Sequence, residues 1–151
     1  MLLKERFNSV KKSRVFRMIL DKFDLKNKKV LDLGCSSGEY PVNFGTGSLG
    51  ITTDDEEVFF GKINSLNIVK GSAEFLDESN IKREGFEVIW ANNLLEHLLS
   101  PHLFLVNLKD LISDGSLLIL GVPVLPFPSS LLGLNKFRGS LASNHIYFFT
   151  K

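Results

Sequence analysis

The short run Val30-Leu31-Asp32-Leu33, followed at once by Gly34-Cys35-Ser36-Ser37-Gly38, constrains the fold of this chain more than any other feature. The run shows no polar–apolar alternation, which is the pattern of a parallel strand covered on both faces. The glycines that bracket the turn let the backbone bend sharply and come close to a ligand. Ligands of open parallel sheets bind beyond the carboxyl ends of the strands, and a helix starting there would present free N–H groups. Taken alone, the spacing of Gly34 and Gly38 fits several kinds of nucleotide site. A phosphate loop is excluded because no Gly-Lys-Ser/Thr follows Gly38. A dinucleotide fingerprint is disfavoured because Ser36 stands where a middle glycine would make room for a pyrophosphate.

The rest of the chain repeats the strand-then-helix rhythm. Further strands are predicted at 48–52, 67–70, 86–91 and 116–122. Apolar residues at spacings of three and four predict one amphipathic helix over 2–23. Shorter helical segments are predicted at 39–44, 54–63, 94–99 and 101–112. Pro41 is tolerable in a first helical turn, and Ser100 is a good N-cap ahead of Pro101. The acids Asp54 to Glu57 suit the positive end of a helix dipole, and their default reading is a solvated helix start. The alternation implies an α/β fold, a three-layer Rossmann-like sandwich around a mostly parallel sheet. The stretch 123–144, rich in Pro, Gly, Ser and Leu, reads as a long connection, and such connections are often functional.

At 151 residues the chain suits one domain. Its formal charge of +1 gives no footprint for nucleic acid or a membrane surface. The basic residues Lys4, Arg6, Lys11, Lys12, Arg14 and Arg17 read as the solvated face of a helix rather than a phosphate-binding patch. Cys35 is the only cysteine, which excludes an internal disulfide and fits a reducing cytoplasm. No apolar leader or membrane-length apolar segment is visible. With 13 phenylalanines, the core is aromatic, and some of these rings are candidates to line an apolar pocket.

The segments "VLDLGCSSG", "GITTDD", "VKGSAEFL" and "FEVIWANNLLEHLLSPHLFLVNLKDLISDGSLLILGVP" follow one another at strand-to-strand spacing. Together they resemble the class I S-adenosylmethionine-dependent methyltransferases, in particular the branch acting on small molecules and lipid precursors. The likeness covers 30–122, with a weaker echo in "HIYFFT" at 145–150. It implies a single domain over 1–151: an N-terminal helix at 2–23, a cofactor-binding core at 30–122 and an acceptor-side connection at 123–151. In relatives the "HIYFFT" stretch begins a further helix and an antiparallel hairpin completes the sheet, so the C-terminal strands look to be missing. The sheet edge so bared would invite a homodimer.

The resemblance also assigns roles. Gly34, Cys35, Ser36 and Gly38 would wrap the methionine end of S-adenosylmethionine, with Asp32 holding the turn and, directly or through water, the ammonium group. The family's ribose-binding acid at the end of strand two falls here on Thr52 or Thr53. Asp54 is the nearest carboxylate and Asp55 the next, and the other reading is a ribose held by a hydroxyl. Ser72 and Ala73 replace the family's adenine-binding Asp-Ala. Asn92, Asn93 and Leu94, with Leu95, close strand four beside the methyl donor.

A hydroxyl acceptor would want a base, and His97 and His145 are the candidates, although an orienting role is the default for His97. Cys35 lacks the setting of a nucleophile. His97, His102 and nearby acids lack metal-ligand spacing, so no metal site is expected. The expected activity is methyl transfer to a small molecule, with no nucleic-acid partner. The alternative is a catalytically silent module of the same fold that binds a partner or regulates another enzyme.

Overall fold

The computed structural model describes residues 3–10, 12–76, 85–125 and 144–150. Its centre is a five-stranded parallel sheet in the order β3-β2-β1-β4-β5. The strands are β1 (Val30–Leu33), β2 (Leu49–Thr52), β3 (Ile68–Lys70), β4 (Val88–Asn92) and β5 (Leu117–Gly121). Each begins or ends within two residues of the predicted run. The helices are α1 (Leu3–Val10), α2 (Arg14–Lys22), α3 (Asp55–Ile63) and α4 (Pro101–Leu108).

The absence of alternation in β1 and β4 has the expected cause. Leu31, Leu33, Ile51, Ile89 and Ala91 pack on one face of the sheet with Phe104, Leu108 and Leu111 from α4 and the turn after it. Val30, Val88 and Trp90 pack on the other face with Val10, Phe16, Leu20 and Leu25. Helices therefore cover both faces, which makes the three layers. Chain order reverses between β1 and β4, whose registers pair Asp32 with Trp90 and Asp32 with Gly50 of β2. β5 stands at one edge, with Leu120 exposed. No helix among the described residues is long and apolar enough to cross a membrane.

The structure departs from the predicted elements in five places. The helix expected at 2–23 is two helices, because the Ser13 side chain accepts the Phe16 N–H and starts α2 afresh as an N-cap. The helix expected at 39–44 is a single 3-10 turn, Pro41–Asn43. There the Asn43 side chain takes the Glu39 and Tyr40 carbonyls that a longer helix would use. The segment expected at 94–99 is likewise one 3-10 turn, Leu95–His97. The helix expected over 101–112 stops at Leu108 and runs on as turns. Finally, the echo at 145–150 forms no helix within the described residues. Its Phe149–Thr150 (β7) pairs in parallel with Val124–Leu125 (β6). The remainder of the connection, 126–143, lies outside the described residues.

Candidate functional site

A cavity of about 520 Å³ opens beyond the carboxyl ends of β1 to β4, at the point where chain order reverses. Four strand ends build its wall. The turn after β1 contributes Gly34 and Ser36. β2 and its sequel contribute Ile51, Thr52, Thr53, Asp54 and Glu57. Gly71, Ser72, Ala73 and Glu74 follow β3, while Asn93, Leu94, His97 and Leu98 follow β4. Asn144 closes one side.

The glycine turn keeps its shape through unusual backbone angles. Gly34 has φ +76°, and a Cβ there would lie 2.9 Å from Leu94 Cδ1. Ser36 (φ 49°) and Asn93 (φ 54°) also adopt left-handed backbone on the cavity wall, a strain that concentrates at functional sites. The turn does not lead into a helix, so the expected helix N-terminus is absent. The Gly34 and Cys35 N–H groups instead donate to the Ile51 carbonyl, at 3.0 and 2.8 Å. This pins the turn to β2.

Beneath the turn lies a buried polar layer. Asp32 shares a sheet face with Val30 and is almost wholly buried, and its Oδ2 has no hydrogen-bond partner among the described residues. Burial, reinforced by Glu39, pushes its carboxyl well above the ordinary carboxylate range. Ser37 Oγ donates to Glu39 at 2.8 Å. Asn92 Nδ2 donates to the Tyr40 hydroxyl at 3.0 Å. Burial also raises the Cys35 thiol pKa, and the carboxylates of Asp32, Glu57 and Glu39 add to the rise. Cys35 is thereby a packing residue and no nucleophile.

A second network lies on the cavity wall. Asp54 is the N-cap of α3, and its Oδ1 accepts the Glu56 and Glu57 N–H groups at 2.7 and 3.3 Å. This sets the first turn of α3 so that Glu57 reaches back to the strand ends. Ser36 Oγ donates to Glu57 Oε1 at 2.8 Å, and Thr52 Oγ1 donates to Glu57 Oε2 in a short contact. The Thr52 hydroxyl also accepts the Asp54 N–H at 3.3 Å. Asp55 points elsewhere, pairing with Lys70 at 2.6 Å in solvent.

Of the residues expected in the site, Gly34, Ser36, Thr53, Asp54, Ser72, Ala73, Asn93, Leu94 and His97 line the cavity. Asp32, Cys35, Gly38, Asp55 and Asn92 do not. Asp32, Cys35 and Asn92 support the turn from below, and Gly38 packs against Ile68. His145 stacks edge-on against His97, with ring centroids 4.8 Å apart. Sequence reasoning missed Glu74 and Glu96, and it reached Glu57 only as one member of the 54–57 acidic run that could bind a ribose. The signal that singles out Glu57 within that run is Asp54-x-x-Glu57, a capping-box spacing, which turns the fourth residue back toward the preceding strand.

The wall fits S-adenosylmethionine. A glycine turn tight against Leu94 offers backbone where a side chain would intrude. Glu57 offers two acceptor oxygens for a vicinal diol, and the surrounding carboxylates favour a cation.

Comparison with known proteins agrees. A family model described as "Methyltransferase domain" matches residues 4–151. The chain is 30% identical over 112 residues to a tRNA U34 carboxymethyltransferase of Pseudomonas syringae pv. tomato, covering 68% of this chain and 35% of that protein. It is 30% identical over 133 residues to a protein of the same name from Vibrio vulnificus, covering 83% and 41%. The chain thus spans about a third to two-fifths of the length of these curated relatives.

Among solved structures, a possible histamine N-methyltransferase from Thermotoga maritima superposes with TM-score 0.69 at 17% identity, covering 98% of this chain and 70% of that one. Magnesium protoporphyrin IX methyltransferase from Synechocystis PCC 6803, solved with bound S-adenosylhomocysteine, gives 0.58 at 15%, covering 97% and 68%. At these identities the structures speak for the fold.

Proposed function

Because the chain belongs to the methyltransferase-domain family, whose cofactor is S-adenosylmethionine, we propose that it transfers a methyl group to a small-molecule acceptor. The observation that carries this reading is the cavity at the β1/β4 reversal, with carboxylates on its wall and no lysine or arginine among the described residues that line it. When bound, S-adenosylmethionine supplies a methyl group already activated on a sulfonium. The acceptor's electron pair forms the new bond to carbon, the S–CH₃ pair returns to sulfur, and the acceptor gives up a proton.

The chain's own residues bind and orient. Gly34 and Ser36 form the floor beside Leu94. Glu57 takes the place of the family's acid at the end of β2, each carboxylate oxygen accepting one protein hydroxyl and keeping a second lone pair for a ribose hydroxyl. Asp54 fixes Glu57 rather than meeting the ribose itself. Asp32 stands buried below the turn and supports it from there. Ser72 and Ala73 line the side assigned to the adenine. Leu94 and Leu98 exclude water, which is most of what methyl transfer asks of a protein. His97 stands at the far end of the wall with His145 packed against it, where the acceptor's proton has to be handled.

A second reading, an RNA acceptor, follows from the name of the curated relatives. The phosphodiester backbone of an RNA would meet Asp54, Glu57 and Glu74 at the cavity wall, and the like charges disfavour it. Incubation with methyl-labelled S-adenosylmethionine against a metabolite extract and, separately, bulk tRNA decides between them. Label in the small-molecule fraction is the expected result. Label in tRNA overturns the small-molecule acceptor. No label from a protein that binds the cofactor leaves a silent binding module.

A further inference from the structure

Three ligand-bearing side chains converge at the His97 end of the cavity. Glu96, His97 and His145 each bring one donor atom within 4.8 Å of the others. Glu96 is fully buried, and neither of its carboxylate oxygens has a hydrogen-bond partner among the described residues. A carboxylate withdrawn from water and left without donors is costly, and buried charges are normally paired or bound to metal.

His97 answers only part of that demand. Its Nε2 lies 3.9 Å from Glu96 Oε1. That is too long for a hydrogen bond, and about half an ångström longer than the roughly 3.4 Å between two tetrahedral ligands of one ion with bonds of about 2.1 Å, so an ion would draw the two side chains slightly together. Its Nδ1 meets the Asn144 carbonyl at 3.1 Å. An Nδ1–H donated to a backbone carbonyl fixes the tautomer and turns the Nε2 lone pair toward Glu96, the usual arrangement behind a metal-bound imidazole.

The cluster is held together by the main chain. The Ile146 and Tyr147 N–H groups donate to the Glu96 carbonyl at 2.7 and 3.2 Å. The Tyr147 hydroxyl donates to the Leu99 carbonyl at 3.0 Å. These bonds clamp the His145 segment onto the turn carrying Glu96 and His97. His102, the partner weighed from the sequence, is exposed on α4 and takes no part. The expectation of no metal site rested on local spacing, and the third ligand comes from far along the chain.

We propose that Glu96, His97 and His145 bind one divalent first-row metal ion, with its open coordination positions directed to the cavity that His97 lines. Two imidazole nitrogens and one carboxylate oxygen suit zinc, cobalt, manganese or iron, and three protein ligands leave room for further donors. An oxygen or nitrogen of the methyl acceptor is the natural occupant, and its bond to the ion makes its proton easier to lose. That role rests on the methyl-transfer reading, whereas the metal site does not.

The test uses the whole chain, stripped with a chelator and titrated with Co²⁺ while its visible absorption is followed. The expected result is one equivalent bound, with a spectrum distinct from the aqueous ion and displaced by Zn²⁺. His145→Ala and Glu96→Gln should each weaken binding by at least about 10-fold, taking ligand loss to cost no less than the loss of a supporting contact, and His102→Ala should leave it unchanged. His145 is partly exposed, so its variant is expected to keep the fold even where Glu96→Gln does not. A spectrum of the aqueous ion only, or equal affinity in His145→Ala, overturns the site. S-adenosylhomocysteine binding by the same sample separates the two proposals. Cofactor bound without metal overturns this site alone, and metal bound without cofactor overturns only the methyl-transfer reading.

Discussion

Replacing Glu57 by alanine should damage cofactor binding far more than it damages the fold. Glu57 presents two carboxylate oxygens to the cavity, already in contact with the Ser36 and Thr52 hydroxyls. A hydrogen bond to a charged group is worth about 1.5–3 kcal/mol. Glu57 is only half-buried, so the low end applies, and two ribose hydroxyls together lose about 2–3 kcal/mol. That is roughly a 30- to 150-fold rise in Kd for S-adenosylhomocysteine, read by calorimetric titration. Glu57→Gln keeps one neutral acceptor and should lose about 10-fold.

Stability should fall by no more than about 1 kcal/mol, because the two hydroxyls left behind can turn to water in the cavity. Asp54→Ala is the informative contrast. Asp54 caps α3, so its loss costs about 1 kcal/mol of stability with a smaller effect on binding. A 2′-deoxy analogue should bind wild type more weakly and be less sensitive to the loss of Glu57, which a double-mutant cycle measures directly. Binding within about 3-fold of wild type in Glu57→Ala, with a loss above about 30-fold in Asp54→Ala, would refute the reasoning and return the ribose to Asp54.

Three further outcomes follow from the buried groups. Asp32 is held well above the ordinary carboxylate range by burial and by Glu39, so it favours the fold at low pH and loses that contribution as pH rises through the raised value. Asp32→Asn should therefore flatten the fall of the urea midpoint with pH above the ordinary carboxylate range, and a profile parallel to wild type contradicts it. Cys35 is fully buried with its thiol pKa raised, so Ellman's reagent should modify it only on unfolding. Rapid modification of native protein would contradict that burial. Phe104 is fully enclosed between α4 and the sheet, so Phe104→Ala should cost about 3–5 kcal/mol in urea unfolding, and a loss below about 1 kcal/mol would show that the site collapses on the cavity.

The parallel sheet was legible because β1 and β4 are buried runs between turn residues, and burial on two faces writes itself into composition. The break at Ser13 was not legible. A serine inside an amphipathic pattern looks the same whether the helix continues over it or restarts from it. The missing helix after the glycine turn has a similar origin, since one asparagine, Asn43, competes for the carbonyls of a segment too short to resist.

In the site, residues on strand ends could be placed from the sequence, and Gly34, Ser36, Thr53, Ser72 and Asn93 lie where such placement puts them. Alternate residues of the same strand ends face the layer beneath, which is why Asp32 and Asn92 support the cavity instead of lining it. Glu57 reaches the site from the first turn of α3, and His145 from beyond the described part of the long connection. Glu57 thus lies one helical turn past its partner Thr52, and His145 lies far in sequence from the His97 it faces.

The most direct test of the central claim is calorimetric titration of the chain with S-adenosylhomocysteine, with NAD as the control. Saturable one-to-one binding that is weakened in Glu57→Ala and absent with NAD is the predicted result. No binding at millimolar ligand by a protein shown to be folded would contradict the claim that this cavity holds the cofactor.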